Sequence, residues 1–170
     1  MQAKIILVVR ANFGSAPSNL VARETINLIF SNAHRLRDFS FRGHHSCLDP
    51  LLNLPTGFPN SLEIVTIAGS PDLSFLKGST KLCELTINNI NTQYSSIIQL
   101  PLRQLTALHL PWSLLHPRAA LSILRQCPSI ISCTLGLSDI DGEDAFPDTT
   151  PCLLPELTHL KFVFIGSNIS

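Results

Sequence analysis

The sequence predicts an α/β fold in which short parallel strands stack along one axis and the chain between them returns on the other side. Three observations lead to this prediction. An apolar phrase recurs at a nearly constant interval, the segments between its occurrences carry helix or loop signals, and few residues are charged. Hydrophobic residues make up 45% of the chain and charged residues 14%, against a usual charged share of about 25%, so folding must bury most side chains.

The recurring phrase has apolar residues at its first, fourth and sixth positions. Its occurrences are Leu36, Phe39, Phe41; Leu62, Val65, Ile67; Leu82, Leu85, Ile87; Leu105, Leu108, Leu110; Ile130, Cys133, Leu135; and Leu157, Leu160, Phe162. Their first positions are separated by 26, 20, 23, 25 and 27 residues. Steps of this size are typical of leucine-rich repeats, whose period is about 20–29 residues and whose units each add one strand to a parallel sheet.

We therefore expect a leucine-rich-repeat-like solenoid with helices and irregular loops on its convex side. The phrases predict strands at about residues 38–42, 64–68, 84–88, 107–111, 132–136 and 159–163. A further strand is predicted over residues 4–10, where five consecutive apolar residues end at Arg10. That run is shorter than the apolar region of about 7–15 residues that a secretory signal peptide needs. No uninterrupted apolar stretch in the sequence reaches the roughly 18 residues of a membrane span, so no membrane association is expected.

Two connecting segments carry helix signals. The segment from His116 to Gln126 has Pro117 at a favourable first helical position and ends before Pro128. Its predicted apolar stripe consists of Ala120, Leu121, Leu124 and Cys127. The second predicted helix runs from Asn19 to Ser31, and its apolar set is Leu20, Ile26, Ile29 and Phe30.

The other connecting segments are predicted as loops and turns. Prolines and glycines within residues 42–59 and 138–155 disfavour regular structure, and residues 77–80 are predicted as a turn. The ninth position of the repeat, usually Asn or Cys, here holds His44, Ser70, Ile90, Ser113, Ser138 and Ile165. Because Ile cannot hydrogen-bond to the turn backbone as Ser can, we expect variable turns.

The chain is expected to form a single domain over residues 1–170, as a piece of a longer solenoid. Its 12 basic and 12 acidic residues cancel, which removes the bulk electrostatic attraction that nucleic acid or an anionic membrane requires. The cysteines are an odd number without a C-x-x-C pair, namely Cys47, Cys83, Cys127, Cys133 and Cys152. This usage favours reduced thiols in a cytoplasmic or nuclear protein.

The candidate partner-binding residues are the outward positions of the predicted strands. Successive strand side chains point to opposite faces, so the residues that alternate with the apolar set should share one surface. The central outward positions are Ser40, Thr66, Thr86, His109, Thr134 and Lys161. The flanking outward positions complete the set with Asp38, Arg42, Glu84, Asn88 and His159.

Signals for catalysis, metal and cofactor are weak. A cluster of His44, His45 and Cys47 lacks a second cluster at metal-finger spacing, and the acidic run from Asp139 to Asp144 lacks the glycine of a calcium loop at its sixth place. The sequence contains no G-x-S-x-G, H-E-x-x-H or G-x-G-x-x-G motif. We expect no enzymatic activity, no cofactor and no metal site.

Two stretches of the chain resemble a known family. Residues 24–41 resemble the helix-then-strand stretch of F-box proteins from mushroom-forming fungi, and residues 120–135 resemble their "L-L-R-x-C-P-N-L-x-x-C-x-L" unit. Residues 155–162 resemble the P-x-L-x-x-L strand that follows in the same proteins. The resemblance implies the repeat portion of a ubiquitin-ligase substrate receptor, which binds the target. No F-box pattern lies within these residues, so a Skp-type adaptor is expected as a partner only if an F-box exists outside this chain.

The expected function is a non-enzymatic protein-interaction module with an unidentified protein target. The alternative is a solenoid that binds a small ligand or nucleic acid without a link to ubiquitin. One Trp, one Tyr and a net charge of zero count against that alternative, because such sites need a pocket or a basic, aromatic stripe.

The two ends of the sequence differ in net charge, and the last apolar residues are not followed by a segment that could cover them. Residues 1–45 carry six basic and two acidic side chains, a net +4, whereas residues 126–170 carry one basic and six acidic, a net −5. This difference indicates either an asymmetric partner or one basic helix end and one acidic loop. Because Phe164, Ile165 and Ile169 follow the last phrase without an amphipathic helix, the isolated chain is expected to self-associate or to be poorly soluble.

Overall fold

A computed structural model describes residues 7–12, 19–31, 33–43, 60–68, 73–88, 94–138 and 151–165. Its strands are β1 (Leu7–Asn12), β2 (Leu36–Arg42), β3 (Ile64–Ala68), β4 (Glu84–Asn88), β5 (Ala107–Leu115), β6 (Ser132–Ser138) and β7 (His159–Ile165). They form one sheet in the order β1-β2-β3-β4-β5-β6-β7, and every neighbouring pair is parallel. The predicted α/β class and the predicted strands are thereby confirmed, with the spatial order following the chain as in a solenoid.

Helices occupy part of the described connections. The α-helices are α1 (Asn19–Ser31), α2 (Tyr94–Ile97) and α3 (Pro117–Arg125), and short 3-10 turns cover Ala33–Arg35, Leu73–Leu76 and Leu102–Gln104. Both predicted helices are confirmed. His116 caps α3 because its Nδ1 accepts a hydrogen bond from the backbone N–H of Arg118 at 3.3 Å, and Pro117 follows as the first helical residue.

The apolar stripe of α3 differs from the predicted one at a single position. Ala120, Leu124 and Cys127 are buried, but Leu121 is 38% exposed and Ile123 is buried in its place. Residues 120, 123, 124 and 127 follow the i, i+3, i+4, i+7 spacing of one helix face. Leu121 does not belong to that face. In α1, Ile29 packs against the core. The backbone of this helix is described throughout, but the side chains of its other predicted core residues, Leu20, Ile26 and Phe30, lie outside the described part.

The apolar positions of the phrase stack from strand to strand and form the sheet side of the core, which side chains from the connecting segments complete. The first-position residues Leu36, Leu62, Leu82, Leu105 and Ile130 are fully buried. The fourth- and sixth-position side chains of β2 to β6 are buried as well, namely Phe39, Phe41, Val65, Ile67, Leu85, Ile87, Leu108, Leu110, Cys133 and Leu135. The Phe39 and Phe41 rings stack with their centroids 6.4 Å apart. Each strand therefore contributes one face to a continuous core, as the alternation predicts.

A repeated backbone pattern sets each strand beside its predecessor. The Cys83 carbonyl accepts hydrogen bonds from the N–H groups of Thr106 and Ala107, at 2.8 and 3.0 Å. The Ile131 carbonyl accepts from Thr158 and His159 in the same way, at 2.9 and 3.1 Å. The same pattern links Cys83 and Glu84 to the Glu63 carbonyl, and Ile131 and Ser132 to the Thr106 carbonyl. Four successive strand starts thus share one hydrogen-bonding geometry.

Strand β5 is longer than predicted and contains a bulge. Its register with β6 jumps from Leu110 opposite Leu135 to Leu115 opposite Leu137, so residues 111–114 face Gly136 alone. Pro111 has no N–H to donate, and the pairing of β5 with β4 extends only as far as His109. The bulge is the clearest irregularity in the described sheet.

Several predicted features lie partly or wholly outside the described residues. These are the start of β1 at residues 4–6, the loop residues 44–59 and 139–150, and the ninth-position residues His44, Ser70 and Ile90. Where the loops are described, residues 151–158 are irregular, and Lys77 and Gly78 form the predicted turn. Ser113 is buried, and its hydroxyl donates to the Leu110 carbonyl at 2.7 Å, the turn-stabilising role that its ninth position suggests.

Candidate interaction surface

The central outward residues of the strands stand in one continuous row. Neighbouring strands pair Ser40 with Thr66, Thr66 with Thr86, Thr86 with His109, His109 with Thr134, and Thr134 with Lys161. All six side chains are accessible to solvent, whereas the residues that alternate with them are buried in β2 to β6. The parallel register therefore brings together residues that lie far apart in the sequence.

A second row lies on the same surface, next to the central one. It runs through Asp38, Ile64, Glu84, Ala107, Ser132 and His159, which pair from strand to strand. A third row contains Arg42, Ala68 and Asn88, with Arg42 and Asn88 exposed. All eleven residues selected from the sequence thus share one side of the sheet, and their role in partner binding stays a prediction.

The sequence reasoning missed Arg10, which extends the central row. Arg10 in β1 pairs with Ser40 in β2 and is exposed. The residues around it do not match the apolar phrase, because Ala11 stands where the sixth position would need a larger apolar side chain. Alternation along residues 7–12 places Arg10 on one side of its strand. Only its pairing with Ser40 in β2 shows that this side belongs to the central row. We name the eleven predicted residues together with Arg10 the open face.

Hydrogen bonds organise parts of the open face. The His109 Nδ1 and the Thr134 hydroxyl, neighbours in the central row, lie 3.2 Å apart. The His159 Nδ1 lies 2.7 Å from the hydroxyl of Thr158, which also donates to the Ile131 carbonyl at 3.1 Å. Short hydroxyl side chains and imidazoles provide both donors and acceptors, so this surface suits neutral polar partners as well as charged ones.

The β5 bulge adds apolar side chains beside the open face. Trp112 is 53% exposed and Leu114 is also exposed, whereas Ser113 between them and Leu115 after them are buried. Ser113 and Leu115 anchor the bulge through their burial, and Trp112 and Leu114 extend from it into solvent. Exposed Trp on a fixed backbone is among the side chains that most often dominate protein–protein binding. No pattern in the sequence predicts this arrangement, because it depends on the loss of register between β5 and β6.

Three of the thiols in the described residues, those of Cys83, Cys127 and Cys133, are poor nucleophiles. Cys83, Cys127, Cys133 and Cys152 are free. Burial raises the pKa of the Cys127 thiol to about 12, with smaller contributions from Cys133 and Cys152, and burial raises the pKa of Cys133 to about 12 as well. Burial, then the charges of Glu84 and Glu63, raises the pKa of Cys83. These three groups are therefore protonated at neutral pH.

The described part of the chain contains no group of three or more His, Cys, Asp or Glu side chains placed to hold a metal ion. The two clusters considered from the sequence, His44 to Cys47 and Asp139 to Asp144, lie outside the described residues. In the same described ranges, no helix has both the length and the apolar character needed to cross a membrane.

Comparisons of the chain with protein-family models, with curated proteins and with solved structures found no match. The relationship to leucine-rich-repeat and F-box proteins accordingly stays a prediction from the sequence. The surface itself, meaning the rows of the open face and the bulge next to them, is therefore the basis on which a function can be proposed.

Proposed function

We propose that this chain is a non-enzymatic protein-interaction module whose open face binds a protein target. The observation that carries the proposal is the register that aligns Arg10, Ser40, Thr66, Thr86, His109, Thr134 and Lys161 in one accessible row. Side chains on paired strands are held by the backbone of the sheet. Little backbone freedom is therefore lost when a partner binds them, and the short Ser and Thr side chains of the row add little rotamer entropy to the cost.

The dimensions of the open face favour a folded partner. Seven strands at a spacing of about 4.8 Å span about 29 Å, close to the diameter of a small domain. The face is polar, as the rim of a protein interface commonly is, and the bulge offers Trp112 and Leu114 as an apolar centre. A protein that covers both parts would combine an apolar anchor with polar contacts around it.

The composition of the open face counts against the alternative of a nucleic-acid site. Its cations Arg10, Arg42 and Lys161 are interspersed with the acids Asp38 and Glu84, and its twelve residues include no Phe, Tyr or Trp on which a base could stack. The imidazoles of His109 and His159 lie beside the hydroxyls of Thr134 and Thr158, but in the described residues no carboxylate hydrogen-bonds to either imidazole, so the hydroxyl, base and carboxylate of a nucleophilic triad are not assembled there. A binding surface accounts better for these residues than an active site does.

The resemblance to fungal F-box proteins supports a more specific form of the proposal. In that form, the open face recognises the target of a ubiquitin ligase, and a Skp-type adaptor binds elsewhere, through an F-box outside this chain. A target protein and an adaptor would then contact different parts of the full receptor.

Photo-crosslinking tests the proposal. A photoreactive amino acid replaces Thr86, in the centre of the open face, and in a matched variant it replaces Thr80, an exposed residue of the turn before β4. Thr86 should yield a crosslink to a discrete protein, and Thr80 should not. Once that protein is purified, Glu84→Lys should weaken its binding, with Lys77→Glu in the turn as the charge-change control. A partner that crosslinks through Thr80 and ignores Glu84→Lys would contradict the proposal.

The ubiquitin-ligase form needs its own measurement. The 170-residue chain should not bind a purified Skp-type adaptor, whereas the gene product extended to include an F-box should. An extended product that binds the target but never the adaptor would separate the interaction module from the ligase role.

A further inference from the structure

The bulge of β5 crosses β6 on the side of the sheet that carries the open face. Gly136 occupies an outward position of β6, two residues after Thr134, yet it is buried. A Cβ atom placed on Gly136 would meet the carbonyl oxygens of Ser113 and Pro111, so the backbone of the bulge lies over it. Cα atoms of β5 and β7 come within 8 Å of each other although β6 lies between them, whereas two strand spacings amount to about 9.6 Å. The bulge therefore forms a raised edge at one end of the open face.

This raised edge presents apolar side chains on a fixed backbone. Trp112 and Leu114 are 53% and 46% exposed, whereas Ser113 between them is buried and its hydroxyl donates to the Leu110 carbonyl at 2.7 Å. The outward Val163 of β7, paired with the β6 residue beneath the bulge, is partly exposed. The surface next to the bulge thus suits a large apolar side chain of a partner.

The open face is basic on the strands next to the bulge. None of its acids lies in β5, β6 or β7, since Asp38 is in β2 and Glu84 is in β4. Lys161 is exposed and forms no ion pair within the described residues, and His109 and His159 are accessible on the same side of the sheet. We name His109, His159 and Lys161 the basic end of the open face. Charge complementarity favours an acidic group on the partner at this place.

The hydrogen bonds of the basic end favour a carboxylate over Thr134. The His109 Nδ1 lies 3.2 Å from the Thr134 hydroxyl. When that hydroxyl donates to Nδ1, the imidazole carries its proton on Nε2, which has no hydrogen-bond partner among the described residues. Lys161, on the other side of Thr134 in the central row, adds an ammonium group with its own donors. A carboxylate above Thr134 is one strand spacing, about 4.8 Å, from each of these two neighbours.

The basic end and the bulge are separated by a short distance along the strands. His109 precedes Pro111 by two residues, and Thr134 precedes Gly136 by two residues. At about 3.3 Å per residue the separation is about 6.6 Å, which is also the distance between side chains i and i+2 of an extended segment. A partner segment that runs along the strands, in either direction, can therefore reach both places with two side chains that have one residue between them.

We infer that the basic end and the bulge select the partner of the open face, and that they bind an extended protein segment with an acidic and a large apolar side chain separated by one residue. The acidic side chain lies over Thr134, between His109 and Lys161. The apolar side chain packs on Trp112 and Leu114. This inference rests on the proposed function and adds to it the chemical class of the partner.

Selection of random peptides displayed on phage tests the sequence preference. The immobilised chain should enrich peptides in which Asp or Glu is separated by one residue from Leu, Ile, Phe or Trp, in either order, relative to the unselected library. Because the spacing follows from the sheet geometry, acidic and apolar residues at unrelated spacings should not be enriched. Enriched peptides without this pair, or the absence of any enriched peptide, would overturn the inference.

Variants of the chain test the contacts, with a synthetic copy of an enriched peptide as the probe. Trp112→Ser should weaken binding at least about tenfold, whereas Leu121→Ser, at an exposed apolar residue of α3, is the matched control and should not. Lys161→Glu should weaken binding about three- to tenfold, whereas Arg42→Glu, at a cation of the open face in β2, should not. A peptide with Lys in place of its acidic residue should bind Lys161→Glu more tightly than the parent chain. Circular dichroism verifies that all variants are folded.

The same measurements separate this inference from the proposed function. Peptides that ignore both Trp112→Ser and Lys161→Glu, while Glu84→Lys abolishes their binding, would keep the open face as the binding surface and overturn the inference. Peptides that ignore all three substitutions would contradict the inference and the proposed function together.

Discussion

Gly136 in β6 stands directly against the backbone of Ser113 in β5. A Cβ atom on Gly136 would lie 2.5 Å from the Ser113 carbonyl oxygen and 2.7 Å from that of Pro111. Both are backbone atoms and cannot rotate away as a side chain would. The close approach of the bulge to β6 therefore depends on the absence of a side chain at this position.

The first prediction concerns this contact. Gly136→Ala should lower the free energy of unfolding by about 1–3 kcal/mol, because the bulge must shift to admit the methyl group. Urea denaturation measures the loss. Ser132→Ala in the same strand is the control and should change stability little, since Ser132 lies partly exposed on the open side of the sheet. Equal stabilities for Gly136→Ala and the parent chain would show that the two strands approach less closely than described.

The second prediction compares the two sides of the sheet. Leu108 in β5 is fully buried, whereas Thr86, in the neighbouring β4, faces the open side and is partly exposed. Leu108→Ala should cost roughly 2–5 kcal/mol through the cavity it leaves, and Thr86→Ala should cost much less. A denaturant titration that gives similar losses for both would contradict the assignment of the two faces.

The alternation of apolar residues was sufficient to predict the sheet but not its irregularities. Burying Leu105, Leu108 and Leu110 together requires an extended strand, so the phrase located β5 correctly. The bulge escaped prediction because it depends on a contact between residues 111–114 and Gly136, far along the sequence. Arg10 was missed because Ala11 breaks the apolar phrase in β1, and only the pairing of Arg10 with Ser40 places it in the central row.

The third prediction concerns pH. The thiols of Cys127 and Cys133 have an ordinary pKa of 9.0 and a folded-state pKa of about 12, mainly because both are buried. Between pH 9 and pH 12 the unfolded chain loses these protons while the folded chain keeps them, so stability falls as pH rises through that window. Below pH 9 both states keep the protons, and these groups add no pH dependence.

A Cys127→Ala and Cys133→Ala double variant isolates this contribution. Its unfolding free energy should fall less steeply than that of the parent between pH 9 and pH 10.5, and only the slopes are compared because the substitutions also leave cavities. Other titrating groups are common to both proteins, so their contributions cancel in the difference between the two slopes. Parallel slopes would mean that the two thiols titrate alike in the folded and unfolded chain.

The fourth prediction uses the only Trp of the chain as a reporter. Because Trp112 is about half exposed on the bulge, iodide should quench its fluorescence efficiently in the native protein. A partner that covers the open face and the bulge together should shift the emission to shorter wavelength and protect Trp112 from iodide. Binding confirmed by another method without either change would place the partner away from the bulge.

The last prediction compares two register partners at the edge of the sheet. Leu135 in β6 and Phe162 in β7 stand side by side on the core side, but Leu135 is fully buried and Phe162 is 39% exposed. Leu135→Ala should therefore cost about 2–5 kcal/mol, whereas Phe162→Ala should cost clearly less, although Phe is the larger side chain. Urea denaturation of the two variants measures both losses. If Phe162→Ala is as costly as Leu135→Ala, the Phe162 side chain is buried in the folded protein and the core side of β7 is not exposed as the structure shows it.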